Sequence, residues 1–192
     1  MIYPAVVNIT ILQDSTYEQD LVITEAAKTA TLNENTNIIT SACHGLVAND
    51  RIAFAVIDGE LPCGIIATES YFVLAAGLTE YSFQISNTSG GSAIDFTIIS
   101  PSASYLIGKV INLTSYTFDA DIRLGYGLGV SASFVCTATN AVAGKLRLSL
   151  TAATTLALAA ASYVYDLKLT SGGSSYFYAK GVVTVEATSS RV

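Results

Sequence analysis

Charge is what this sequence has least of. Only 12% of its 192 residues are Asp, Glu, Lys or Arg, about half the share of an ordinary soluble domain. Hydrophobic residues make up 51%, so either the chain lies in a membrane or other subunits cover much of its surface. A membrane-spanning helix needs roughly 18 or more apolar residues in a row. No such run is present: residues 52–66 are broken by Asp58, Glu60 and Pro62, and residues 154–164 are diluted with Ala and Thr. No basic start leads into an apolar core at the N-terminus, so no secretory signal is expected. A soluble protein that assembles with partners, without a membrane, is the expectation.

Cations are scarcer still. Nine Lys and Arg against 15 Asp and Glu leave a formal net charge of -6, and the nine are dispersed. Binding to nucleic acid needs them clustered, so no nucleic-acid partner is expected. Cys43, Cys63 and Cys136 are an odd set, far apart in sequence. They read as free thiols in a reducing cytoplasm, not as a disulfide framework.

There is one His. Zinc takes four ligands in closed geometry, and Cys43 and His44 are neighbours whose side chains point to opposite faces of a strand. Neither a metal centre nor a Cys–His nucleophilic pair can be built on them. Asp119 and Asp121 share the outer face of a strand, opposite Arg147 or Lys145, and read as solvating charge. With no convergent acid, base, nucleophile or metal set, the expectation is a non-enzymatic protein without metal or cofactor.

What the chain does have is alternation. Residues 5–12 place Val7, Ile9 and Ile11 on one side, and residues 16–24 place Tyr17, Leu21 and Ile23 on another, so a first hairpin is the simplest pairing. Shorter strands are expected at 37–41, 51–57, 71–75, 81–86 and 93–99, separated by turns, with residues 100–104 as a linker. Cleaner strands follow at 116–123, 131–139 and 145–150. A short helix is expected over 151–161, capped by Thr151 and anchored by Leu156 and Leu158. The last feature is a hairpin from Ser162 to Glu186 around a glycine-centred turn, with Tyr163, Tyr165, Leu167 and Leu169 on one face.

About seven strands outside the middle region, and a short helix before a Tyr-rich strand, match an immunoglobulin-like sandwich by analogy. The expected fold is all-β: a discontinuous sandwich from residues 1–25 and 108–192, interrupted by a small inserted β-module over 26–107. Insertions of this kind are tolerated at exposed hairpin loops.

Two sets of motifs carry a resemblance. L-T-S-Y-T-F-D-A-D-I-R at 113–123, G-K-L-R-L-S-L-T-A-A at 144–153 and Y-V-Y-D-L-K-L-T-S at 163–171 resemble small β-sandwich virion proteins of tailed bacteriophages, notably those of cyanobacteria. The middle region resembles a separate phage virion module, through H-G-L-V-A-N-D-R-I-A-F at 44–54, L-P-C-G-I at 61–65, A-G-L-T-E-Y-S-F-Q-I-S at 76–86 and G-G-S-A-I-D-F-T at 90–97. That module usually has Gly where this chain has Asn49, the residue type that best tolerates a left-handed turn after Gly. The resemblance implies a virion structural component, assembled in the bacterial host cytoplasm with other phage proteins and with copies of itself. Tail, baseplate or fibre attachment is the leading location, and a decoration protein on the capsid is the alternative.

The chain holds 11 Tyr and no Trp. Tyr163, Tyr165, Tyr176 and Tyr178 crowd the final hairpin, and both its faces cannot be buried in one small core. Tyr suits interfaces because its ring is apolar while its hydroxyl can stay hydrogen-bonded. These four are the candidate interface. Contact with a host surface glycan is the reading from another class.

Overall fold

The computed structural model describes residues 5–100 and 102–188. The strands of the first half are β1 (Ala5–Val6), β2 (Ile9–Leu12), β3 (Tyr17–Val22), β4 (Lys28–Asn33), β5 (Ile38–Thr40), β6 (Arg51–Asp58), β7 (Tyr71–Val73), β8 (Ser82–Phe83) and β9 (Ile85–Ser86). Those of the second half are β10 (Ser104–Lys109), β11 (Thr117–Arg123), β12 (Val130–Ser133), β13 (Val135–Asn140), β14 (Lys145–Leu150), β15 (Ser162–Ser171) and β16 (Ser174–Glu186). One short helix, α1 (Ala152–Ala157), precedes β15. The fold is all-β. Its contacts divide it into two units: one takes the chain up to Leu21, Leu113–Thr139 and everything from Leu146, and the other takes Val22–Asn112 with Asn140–Lys145.

The first unit is a sandwich of two sheets. One has the order β1-β16-β15-β11-β12, with β2 also on β16, and the other has the order β13-β14-β3. β1 and β2 run parallel to β16, while β15 is antiparallel to both β11 and β16. This is the immunoglobulin-like arrangement, with β3, β11, β12, β13, β14, β15 and β16 in the positions termed B, C, C′, D, E, F and G. The chain between the B and C strands makes up most of the second unit, which also takes Asn140–Lys145.

The final hairpin forms as its sequence dictates. Gly172 and Gly173 supply a two-residue turn between β15 and β16, with φ of 57° and 79°, the double positive φ that matches strand twist in a type I′ turn. Leu167 and Leu169 are buried on the inner face. The register shifts between Leu167 and Lys168, so that Tyr176 stands opposite Leu169 and Phe177 opposite Lys168. A bulge of this kind kinks the strand and redirects the side chains beyond it.

The expected first hairpin does not exist. β2 adds to the last strand, and β3 belongs to the other sheet. The short Gln13–Ser15 link crosses between sheets and is clasped by the helical corner. The Gln13 side-chain amide donates to Leu158 O at 2.6 Å, Ser15 N donates to Thr155 Oγ1 at 3.2 Å, and Thr155 Oγ1 donates to Ser15 O at 2.8 Å. Thr151 caps α1 as expected, accepting from Thr154 N. The anchors are Thr155 and Leu158, both buried, while Leu156 is exposed.

The predicted strand 131–139 is likewise two strands in two different sheets. Phe134, 5% exposed, is the pivot between them.

The second unit is a nearly closed barrel. Its seven strands run β8-β5-β4-β10-β6-β7-β9. The two ends are consecutive pieces of one run, since β8 pairs with β5 and β9 with β7. The segment from Ser82 to Ser86 therefore stitches both sides together, which leaves little free edge. Inside lie Ile39, Ile52, Phe54, Tyr71, Val73, Phe83, Ile85, Phe96 and Ile107.

β4 and β10, central in this sheet, lie where the sequence reading placed no strand, and residue 104 opens β10 instead of closing a linker. Residues 93–99 in turn form no strand. They make an isolated Cys63–Thr97 bridge and one backbone bond to β9, Ile94 N to Ile85 O at 2.8 Å, while Phe96 fills the core. Asn49 adopts φ 68°, the left-handed turn conformation its position demands.

Candidate interaction surface

The four tyrosines of the hairpin separate into two pairs. Tyr163 and Tyr165 are 3% and 1% exposed, so they are core residues and offer no ring to a partner. Their placement in the candidate interface is corrected on that ground. The Tyr163 hydroxyl donates to Ala159 O at 3.0 Å, closing the turn before β15 in the manner of a tyrosine corner. The Tyr165 hydroxyl donates to Val7 O at 2.9 Å, tying the β1–β2 connection to the centre of the sheet. Burial, with Tyr17 adding to it, pushes the Tyr165 hydroxyl up to about 12.

Tyr165 also packs edge-on to Phe134, with centroids 5.6 Å apart, and Phe134 leans on Tyr17 at 6.0 Å. In antibody domains the residue two places after the corner tyrosine is a disulfide cysteine. Here an aromatic trio fills that position. Tyr176 is 51% exposed and its neighbour Phe177 53%, while Tyr178 is half-buried at the bulge. An exposed ring surface on this hairpin comes down to Tyr176 and Phe177.

The polar candidates form ordinary structural contacts. Asp119 pairs with Lys168 at 2.9 Å and Asp121 with Arg123 at 2.7 Å. Arg147, which was expected opposite the two aspartates, instead forks onto Asp20, with Nε to Oδ1 at 2.7 Å and Nη2 to Oδ2 at 2.8 Å. A third contact to Glu18 at 2.9 Å completes a cluster joining β14 to β3. Those hydrogen bonds and charges hold the guanidinium further above its already high range. Cys43 and Cys63 are exposed, and burial, then Asp119, pushes the Cys136 thiol up to about 11. Among the described residues, no three His, Cys, Asp or Glu stand together as a metal would require.

A cavity of about 180 Å³ in the barrel is lined by Glu25, Lys28, His44, Leu46, Ile52 and Lys109 among others. Its cations are engaged within the barrel: Lys28 Nζ donates to Cys43 O at 2.6 Å, and Lys109 pairs with Asp50 at 2.8 Å. His44 Nδ1 accepts from Leu46 N at 3.0 Å, which places the proton on Nε2. That nitrogen is buried without a hydrogen-bond partner, and the ring meets Phe83 at a steep angle, 5.0 Å between centroids. His44 shapes a loop.

The surface with most to offer a partner runs along residues 124–135. Leu124, Tyr126, Leu128, Val130 and Val135 are 60%, 69%, 54%, 48% and 58% exposed. They line the loop after β11 and the edge strands β12 and β13. By alternation alone, residues 124–130 are only the link between two expected strands. The available signal was the absence of any Asp, Glu, Lys or Arg between Arg123 and Lys145.

Comparison with protein-family models finds no match, and neither does comparison with curated proteins. Among the described residues no helix is long and apolar enough to cross a membrane.

Proposed function

We propose that this chain is a structural component of a tailed-bacteriophage virion, placed in the tail, baseplate or fibre attachment, and that it works by multi-copy protein–protein assembly. The motif resemblances suggest the setting. The observation that carries the assembly reading is the exposed apolar surface of residues 124–135, in a chain with 12% charged residues. Five large apolar side chains left exposed within one twelve-residue segment are the kind of surface a partner covers. Two β units with short turns offer recognition through sheet edges and side chains and need no moving parts.

The test is to purify the particles, separate heads from tails, and detect this chain in each by mass spectrometry. Recovery with tails supports the proposal. Recovery with heads alone replaces it with a capsid decoration role. Absence from mature particles overturns the virion reading entirely.

A further inference from the structure

An unpaired strand edge is a row of free amide and carbonyl groups, and natural sandwiches blunt such edges with brevity, bulges or charge. Among the described residues the sandwich has four outer strand positions, and three of them carry such a device. β1 and β2 are two and four residues long, separated by Val7 and Asn8. β12 is four residues long and its pairing shifts register between Ile122 and Arg123. β3 is six residues long but carries Glu18 and Asp20, locked by Arg147.

The fourth, β13, has none. Its six residues, Val-Cys-Thr-Ala-Thr-Asn, include no charge and no proline, and all but Cys136 are exposed. It terminates its sheet.

We infer that β13 is a pairing edge and that its occupant is β13 of a second copy, joined antiparallel about a two-fold axis. Three features select this occupant. A strand laid antiparallel on its own copy is self-complementary by symmetry, so each free donor finds the equivalent acceptor. The chain carries a net charge of -6, so two copies repel over most possible contacts. The segment between Arg123 and Lys145 is the longest stretch without Asp, Glu, Lys or Arg, and copies can meet there without like charges facing each other. The paired sheet would run β3-β14-β13 and on into the same strands of the copy in reverse order. Val135, 58% exposed, would lose its contact with water beside the new ladder.

This inference deepens the multi-copy reading above and rests on it only in expecting a second copy. Antiparallel pairing about a two-fold sets Thr137, near the middle of β13, opposite its own copy. The test is therefore sedimentation velocity of the full chain over a broad concentration range, with Thr137→Lys, Thr137→Glu and the doubly substituted Val135→Lys/Thr137→Lys chain alongside. The wild type should pass from monomer to dimer as concentration rises. Each charged variant should weaken the dimer tenfold or more while keeping the wild-type circular dichroism and melting temperature. Mixing the Lys and Glu variants should restore association, which a merely misfolded variant could not do.

A wild type that stays monomeric throughout overturns the inference, as does a dimer indifferent to all three variants. If a variant unfolds, the remaining folded variants and the wild-type isotherm decide. Finding the chain in virions while it remains monomeric alone would sink this inference and leave the proposed function standing. A β13 dimer from a chain absent in virions would do the reverse.

Discussion

The two units solve the same problem of sheet edges in opposite ways. The barrel folds one run, Ser82–Ser86, against both sides of its sheet and leaves little backbone unpaired. Among the described residues the sandwich keeps four outer positions and guards three of them. The contrast extends to the cores. In the sandwich, the buried Tyr163 and Tyr165 hydroxyls each find a backbone carbonyl. In the barrel, Tyr105 and His44 each bury a polar atom with no hydrogen-bond partner. A unit that uses hydroxyls to fix its strand order depends on each of them, whereas one closed by its own ladder can carry a few unsatisfied atoms. The sandwich is therefore the unit with exposed edges and a precisely tied interior.

The largest effect should come where the first strands meet the last. A Cβ on Gly181 would run into the Val7 carbonyl, which is backbone and cannot swing aside. Gly181→Val should destabilise the chain by about 3 kcal/mol or more in chemical denaturation. A loss under about 1 kcal/mol would mean that β1 and β2 detach at little cost and do not hold the sheet together.

Alkali should strike the sandwich next. The Tyr165 hydroxyl rises from 10.0 to about 12 on folding. A group whose folded value is raised contributes stability that is complete below the unfolded value and is lost as pH climbs through the folded one. The window is therefore pH 10 to 12, and the loss is on the order of 2 kcal/mol. Denaturant midpoints measured across that range in the wild type and in Tyr165→Phe would check it. The variant should lose less than the wild type, and parallel curves would contradict the assignment.

Single hydroxyl deletions sharpen the contrast at smaller scale. Tyr163→Phe removes a donor to Ala159 O and should cost about 1 kcal/mol, whereas Tyr105→Phe removes a buried hydroxyl with no hydrogen-bond partner and should be neutral or stabilising by a similar amount. Equal losses in both, read from thermal or denaturant unfolding, would erase the distinction between the two cores.

Much of the fold was legible because its strands alternate. β11, β14 and the last hairpin bury one face and wet the other, and Gly172–Gly173 announces its own turn. The pairing of β2 with β16 was not legible, because a hairpin and a crossing link look alike in sequence. Only the clasp of Gln13 and Ser15 onto the helical corner decides between them. Phe134 was hidden similarly: alternation continues through 131–139, and nothing local says that a strand changes sheets at a buried ring.

β4 and β10 escaped because Thr, Asn, Ser and Gly dilute their pattern, although closure of the barrel rewards them. The candidate surface was half visible. Counting tyrosines pointed to the final hairpin, but two of the four rings fill the core. The uncharged edge at β13 is the absence of a residue type, which motif reading does not weigh.

The most direct test of the contrast between a closed barrel and an open sandwich edge is hydrogen–deuterium exchange at low and high protein concentration. Amide protection reports backbone pairing segment by segment. The account predicts that peptides covering Val135–Asn140 gain protection as concentration rises, while those covering Ser82–Ser86 are protected equally at both. Unchanged exchange at β13, or a concentration-dependent gain in the barrel segment instead, would contradict it.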